Sequence, residues 1–173
     1  FKENLGDTFA IGYNANIAAA YAETDIFFSK NFAMKLGARL SNNDLLDETV
    51  LSPRASMAYK VSKNGQFSLA YGSFSQAPRQ EYLKYADYLS SEKASHYILN
   101  YQYNKDRRTF RAEAYFKDYA DLVKFDTDSP QFNSNYFNTG EGYAKGLDIF
   151  WRDNKSIKNL EYWVSYSYID TQR

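Results

Sequence analysis

Apolar and polar residues alternate along most of the chain, which is the period of a β-strand whose two faces have different surroundings. In segment 31–40, NFAMKLGARL, Phe32, Met34 and Leu36 share one parity, whereas Lys35 and Arg39 share the other. The same alternation recurs in segments 53–62, 67–72, 95–103, 109–117, 142–153 and 160–168. The pattern therefore predicts an all-β fold of about eight strands in which no helix is needed.

The first segment, 17–29, is less regular than the others. Glu23 and Asp25 share a parity with Tyr21 and Phe27, so charged and aromatic side chains would lie on one face. We expect a strand here, although its two faces are less sharply divided than those of the later strands.

The connections between the predicted strands alternate in length. Short turns are expected near Lys30, Asn64, Lys105 and Lys155, and long loops over 41–51, 77–93 and 125–139. Strands of about 9–11 residues, with short turns at one end and long loops at the other, are typical of outer-membrane barrels, whose short turns are periplasmic. The sequence thus predicts an antiparallel up-and-down meander that is part of a large transmembrane β-barrel.

The direction of the strands separates a small complete barrel from a segment of a larger one. If the short turns are periplasmic, the first strand runs inward and the last runs outward, so both ends of the chain lie outside the cell. The opening residues, FKENLG, also lack the regions of a signal peptide. We therefore expect residues 1–173 to be a single barrel segment, without plug domain or signal peptide, and with further strands on both sides.

Tyrosines on the apolar parity favour a membrane over a soluble core, because tyrosine suits the level of the lipid headgroups. We expect them near the strand ends, at Tyr59, Tyr71, Tyr97, Tyr103, Tyr162 and Tyr168. The alternative is a self-contained soluble β-barrel that binds a small hydrophobic ligand and turns its apolar parity towards an inner core.

Composition excludes several classes of function. The 21 basic and 21 acidic side chains balance, so the excess positive charge that draws proteins to nucleic acids is missing. With no Cys and one His, the chain has neither a disulfide framework nor a cysteine- or histidine-based metal site, and we expect no cofactor. His96 follows Ser95, but adjacent strand residues point to opposite faces, so we expect no enzyme.

The charged parity would line a water-filled lumen. Its members are Arg39, Arg54, Lys60, His96, Arg111, Glu113, Asp148 and Glu161. They would form a polar wall that bonds internally or to a plug, and the alternative is simple solvation of each charge.

Two predicted loops carry candidate ligand contacts, since rigid aromatic side chains beside a cation make good contacts. These candidates are Arg79, Tyr82, Tyr85, Tyr88, Asn133 and Tyr136. The alternative is that the loops pack on themselves. Asp126 and Asp128 could also bind calcium, but no EF-hand spacing follows them, so surface charge is favoured.

Several short motifs resemble the barrel of TonB-dependent outer-membrane receptors. They are LSPR at 51–54, AYK at 58–60, AYGSFSQAP at 70–78, GEGYAKGLD at 140–148 and NIAAAYAE at 16–23. The resemblance implies a large outer-membrane barrel closed by a plug domain of the same protein. It also implies uptake of a scarce bulky nutrient, such as a metal chelate, haem, cobalamin or a glycan, with energy from the TonB complex. The particular substrate is not indicated by these motifs.

Overall fold

The computed structural model describes residues 14–129 and 134–173, which form one eight-stranded antiparallel sheet in the order β1 to β8. The strands are β1 (Ile17–Phe27), β2 (Phe32–Asn43), β3 (Glu48–Lys60), β4 (Gly65–Gln76), β5 (Glu92–Lys105), β6 (Arg108–Phe125), β7 (Tyr136–Asp153) and β8 (Tyr162–Gln172). Each strand pairs with its neighbours in the sequence, as expected for a meander. The predicted all-β, up-and-down fold is therefore confirmed.

The register assigns each strand residue to one of two faces, because directly paired residues in an antiparallel sheet share a face. Lys35 and Arg39 lie on the face that we call the polar face, and the opposite face, with Met34 and Leu36, is the apolar face. In β1, Asp25 pairs with Lys35, and their charged groups are 3.5 Å apart. Glu23 and Asp25 are thus on the polar face, and alanines supply much of the apolar face of β1.

Two aromatic bands on the apolar face flank a row of mainly aliphatic residues. Nearer the short turns, ring pairs join Phe32 to Tyr59, Phe67 to Tyr101 and Phe110 to Trp151. Nearer the long loops, they join Tyr71 to Tyr97, Tyr97 to Phe116 and Phe116 to Tyr143. Tyr168 lies elsewhere than expected: it pairs with Leu147 within the aliphatic row, because β8 continues to Gln172.

The lengths of two connections differ from the prediction. Segment 41–51 is no long loop, since β2 and β3 extend through it and leave only the turn 44–47. The Asn42 amide donates to Thr49 Oγ1 at 2.9 Å, so polar residues continue the strand pair instead of ending it. The connection 154–161, expected to be short, spans eight residues and is closed by hydrogen bonds to Asp153.

The longest connection among the described residues, 77–91, contains the single short helix α1 (Gln80–Leu83). No helix in the described part of the chain is long and apolar enough to cross a membrane. The expectation of a fold without any helix is therefore wrong for this one helix of four residues.

The sheet is open in the part of the chain that the structure describes. Here β1 pairs with β2 alone, and β8 pairs with β7 alone. The alternative of a soluble barrel closed on itself is therefore not supported. Both outer strands carry backbone groups that are available for further pairing.

Candidate functional site

The predicted lumen residues share one face of the sheet. The register places Arg39, Arg54, Lys60, His96, Arg111, Glu113 and Asp148 on the polar face. Glu161 lies just before β8, where its carboxylate accepts a 2.8 Å hydrogen bond from Arg152 Nε. That this face lines a lumen remains a prediction.

Two cavities open on the polar face towards the end with the long loops, which we call the loop end. The larger, about 730 Å³, lies over β4–β8 and is lined by Arg79, His96, Tyr119 and Arg173 among others. The smaller, about 300 Å³, lies over β2–β4 and is lined by Arg39 and Arg54 among others. Phe74 lines both, so its ring forms part of the boundary between them.

Phe74 is held between two strands by its neighbours on the polar face. The Arg54 guanidinium carbon lies 5.1 Å from the centre of the Phe74 ring, and the His96 ring centre lies 4.6 Å from it. The ring fits because position 72 is glycine: a Cβ on Gly72 would come within 2.8 Å of two Phe74 ring carbons. Gly72 thus makes the space in which Phe74 contacts both Arg54 and His96.

A second cation on the polar face also contacts an aromatic ring. Lys117 is the register partner of His96, and its ammonium nitrogen lies 5.4 Å from the centre of the Tyr115 ring. Tyr115 in turn lies over Gly146, where a Cβ would collide with the end of its ring. The same arrangement therefore occurs twice, with a glycine, an aromatic ring over it and a cation against the ring.

These cations have no acidic partner in the described residues. Within 14–129 and 134–173, no carboxylate lies within 4.0 Å of the charged groups of Arg39, Arg54 or Lys117. Glu48 and Glu92 line the cavities, but they accept hydrogen bonds from the backbone N–H groups of Ser91 and Val123. Arg39, Arg54 and Lys117 are therefore cations without a direct carboxylate contact in the described residues.

The aromatic residues of the long loops pack against one another. Tyr82, Ala86, Leu89, Val123 and Tyr136 form a buried apolar group, which we call the loop cluster. Tyr82 is 7% exposed and Tyr136 is 2% exposed. For these two tyrosines, burial favours the alternative of loop self-packing over direct contact with a ligand.

The other loop candidates are less buried. Tyr85 packs against the loop cluster from outside, whereas Tyr88 is 68% exposed and donates from its hydroxyl to the Tyr136 carbonyl oxygen at 3.3 Å. Arg79 lines the larger cavity, and its Nη1 lies 3.4 Å from Glu81 Oε1. Asn133 falls outside the described residues, so its assignment stays a prediction.

Asp126 accepts hydrogen bonds within its own loop. The Asn135 side-chain amide donates to Asp126 Oδ2 at 2.6 Å, and the Asn135 backbone N–H donates to Oδ1 at 2.9 Å. These bonds stabilise the carboxylate and hold the pKa of Asp126 below its ordinary value. This pairing fits the interpretation of Asp126 as a surface residue that closes a loop.

The architecture, with its apolar and polar faces, matches one known family along nearly the whole chain. The family described as TonB dependent receptor-like, beta-barrel, matches residues 2–173. The chain belongs to this family. Its members are receptors and transporters of the outer membrane, not enzymes.

Solved barrels of this family share the fold. The siderophore receptor PirA of Pseudomonas aeruginosa is 17% identical with a TM-score of 0.76, over 91% of this chain and 32% of that one. A ferric enterobactin receptor, PfeA of the same organism, is 14% identical with a TM-score of 0.79, over 90% and 26%. The FrpB iron transporter of Neisseria meningitidis is 17% identical with a TM-score of 0.75, over 91% and 25%.

This TonB-dependent receptor chain spans a quarter to a third of the length of these solved barrels. No curated protein sequence matches it. At these identities, the likenesses show the fold alone.

The sequence did not reveal Phe74, Lys117 or Tyr115 as site residues. Phe74 lies in the 70–78 motif, but its contact with Arg54 depends on how far β3 and β4 are shifted against each other. The available signal was a glycine two residues before an aromatic residue on the same parity. That spacing leaves room for the ring to fold back over the glycine.

Proposed function

We propose that residues 1–173 are a single segment of the barrel wall of an outer-membrane receptor that imports a bulky iron chelate. The energy would come from the TonB complex through other parts of the same protein. The family match over residues 2–173 carries this proposal. Receptors of similar fold are named for siderophores and for iron transport, which favours an iron chelate over haem, cobalamin or a glycan.

The open sheet supports the proposal that this segment belongs to a larger barrel. The outer edges of β1 and β8 would pair with further strands of the same protein, since exposed edges otherwise promote aggregation. The polar face would line the lumen against a plug domain, and the apolar face would contact lipid. The two cavities at the loop end would then open to the outside of the cell, where the nutrient arrives.

Deletion of the gene for the whole protein tests this function in the parent organism. Iron-starved cells would be given radioactive iron as a panel of chelates, and uptake of one chelate should be lost in the deletion strain. A strain without TonB should lose the same uptake, because the transport step depends on its energy. Unchanged uptake of every chelate in the deletion strain would rule out the proposed function.

A further inference from the structure

The connections at the two ends of the sheet carry charge of opposite sign, although the charge of the whole chain balances. At the end opposite the loop end, the connections carry seven basic and two acidic side chains. We call this group the basic rim, and its members are 28–31, 61–64, 105–108 and 154–161. The connections at the loop end carry two basic and six acidic side chains, and they are 44–47, 77–91 and 126–135.

Most cations of the basic rim have no acidic partner in direct contact. Two of the seven form ion pairs, namely Arg108 with Asp153 and Lys155 with Asp106. In residues 14–129 and 134–173, the other five have no carboxylate within 4.0 Å and are exposed. These five are Lys30, Lys63, Lys105, Arg107 and Lys158.

Exposed apolar side chains lie beside these cations. Phe28 is 58% exposed, Val61 is 48% exposed and Leu160 is 47% exposed, and each lies two residues along the chain from a lysine of the rim. The Phe28 ring stacks on the ring of Phe32, with ring centres 5.2 Å apart. Because Phe32 belongs to the aromatic band on the apolar face, the apolar surface continues from the strands into the basic rim.

The basic rim is fixed close to this aromatic band. The Lys60 N–H donates to the Asn31 carbonyl oxygen at 2.8 Å, which ties the first turn to the end of β3. Lys30 precedes Phe32 by two residues, roughly 7 Å along an extended chain. Aromatic bands of membrane barrels lie at the level of the lipid headgroups, and lysine side chains extend further towards charged groups. In a membrane, the rim lysines would therefore reach the lipid phosphates.

We infer that the basic rim binds the headgroups of anionic phospholipids in the membrane leaflet at this end of the barrel. The inference rests on the membrane orientation in the proposed function and adds a lipid preference to it. Basic side chains are attracted to anionic lipid in addition to the burial of apolar side chains such as Phe28 and Val61. The loop end has an excess of acidic side chains in its connections, so it should not share this preference.

Brominated lipids test the inference locally, in the full-length protein in phosphatidylcholine vesicles and in a background without other accessible cysteines. A fluorophore on Tyr59→Cys, at a position 51% exposed on the apolar face beside the rim, is quenched by bromine on lipids that contact it. Quenching should show about threefold higher affinity for anionic brominated phosphatidylglycerol than for brominated phosphatidylcholine. A label on Tyr71→Cys, nearer the loop end of the same face, should be quenched equally by both lipids.

A pair of double variants separates the charge of the rim from charge elsewhere. Lys30→Gln with Lys63→Gln removes one charge from each turn beside Tyr59 and should lower the preference to less than about 1.5-fold. The matched control is Lys84→Gln with Lys124→Gln, which removes the same charge from the loop end and should leave the preference unchanged. Lys30→Arg with Lys63→Arg keeps the charge and should retain the preference. High salt should weaken it in the unaltered protein.

The outcomes separate the inference from the function on which it rests. If both brominated lipids quench the label at position 59 equally, or if the Lys30→Gln, Lys63→Gln variant keeps the full preference, the basic rim does not select anionic lipid, while the membrane orientation stands. If neither lipid quenches this label, the membrane orientation fails and the inference fails with it. Iron uptake that survives gene deletion would overturn the transport function alone, because the lipid measurement involves no chelate.

Discussion

The loop end of this sheet and its opposite end, which we call the turn end, differ in the groups that their cations contact. At the turn end, three cations form ion pairs with carboxylates. The pairs are Arg152 with Glu161, Lys155 with Asp106 at 3.0 Å, and Arg108 with Asp153 at 3.3 Å. At the loop end of the polar face, Arg54 and Lys117 meet aromatic rings. Ion pairs also occur at the loop end, where Lys93 lies 2.8 Å from Asp121, but Arg54 and Lys117 contact rings there instead of acids.

The two ends also differ in how their connections are held. The turn end relies on hydrogen bonds, many of them to the single carboxylate of Asp153, which is 2% exposed. The loop end has an apolar core of its own in the loop cluster. Loops with a core can present a site with fixed geometry, which is useful where a ligand has to be recognised.

The largest effect is expected from removing the centre of the loop cluster. Tyr136→Ala should destabilise the packing of loop 77–91 against β6 and β7 by about 3 kcal/mol, since truncation of a buried aromatic side chain leaves a cavity. Amide hydrogen exchange in 77–91 of the full-length protein measures this. Tyr88→Ala, at an exposed position, should cost less than about 1 kcal/mol. If the amides of 77–91 were protected equally in Tyr136→Ala and in the unaltered protein, other contacts would hold the loops.

A change at the turn end should affect stability without affecting the ligand. Asp153→Ala removes the acceptor for the backbone N–H groups of Lys155 and Ser156 and for the Ser156 hydroxyl. It also leaves Arg108 without its carboxylate. The Tm of the full-length protein should fall by several degrees while chelate affinity stays constant. A loss of chelate affinity of about tenfold or more would contradict the division between the two ends.

A change at Gly72 should weaken the ligand site indirectly. Gly72→Ala places a methyl group where the Phe74 ring lies, so the ring moves and Arg54 loses its orientation. Affinity for the imported chelate should fall by a few-fold, as measured by calorimetry. In a Phe74→Leu background, where the ring is gone, the same glycine change should have a smaller effect. Equal effects in both backgrounds would mean that the glycine acts on the strand alone.

The smallest effect concerns pH. Because Asn135 lowers the pKa of Asp126 in the folded loop, the carboxylate stabilises the loop above the unfolded-state pKa of about 4. This contribution is lost as the pH falls through the folded-state pKa. Asn135→Ala should raise the pKa of Asp126 towards its ordinary value, which NMR titration measures. An unchanged pKa would show that the bonds between Asp126 and Asn135 do not persist in solution.

The period of two was sufficient to predict most of the strands and their faces, because alternation separates apolar from polar side chains. It was insufficient for β1, since Tyr21 and Phe27 share a face with Glu23 and Asp25. There the pairing of Asp25 with Lys35 decides the face. The prediction of a long loop at 41–51 was wrong because asparagine and threonine can bond across a strand pair as well as form a turn.

The ligand candidates were harder to predict than the fold. Aromatic residues in loops suit both binding and packing, and only the contacts between loops show that Tyr82 and Tyr136 pack inward. Arg54 was predicted as a lumen residue, but its contact with Phe74 depends on a neighbour from another strand. Such contacts between strands are fixed by register, which a single sequence leaves open.

We propose that the apolar face meets lipid and the polar face meets the lumen. The chain has no cysteine, so single cysteines at positions 66–71 of β4 can carry a spin label in the full-length protein in membranes. Labels at Phe67, Leu69 and Tyr71 should be accessible to oxygen dissolved in lipid, and labels at Gln66, Ser68 and Ala70 should not. Alternation with the opposite phase, or equal access of all six labels to a water-soluble nickel complex, would contradict the barrel orientation.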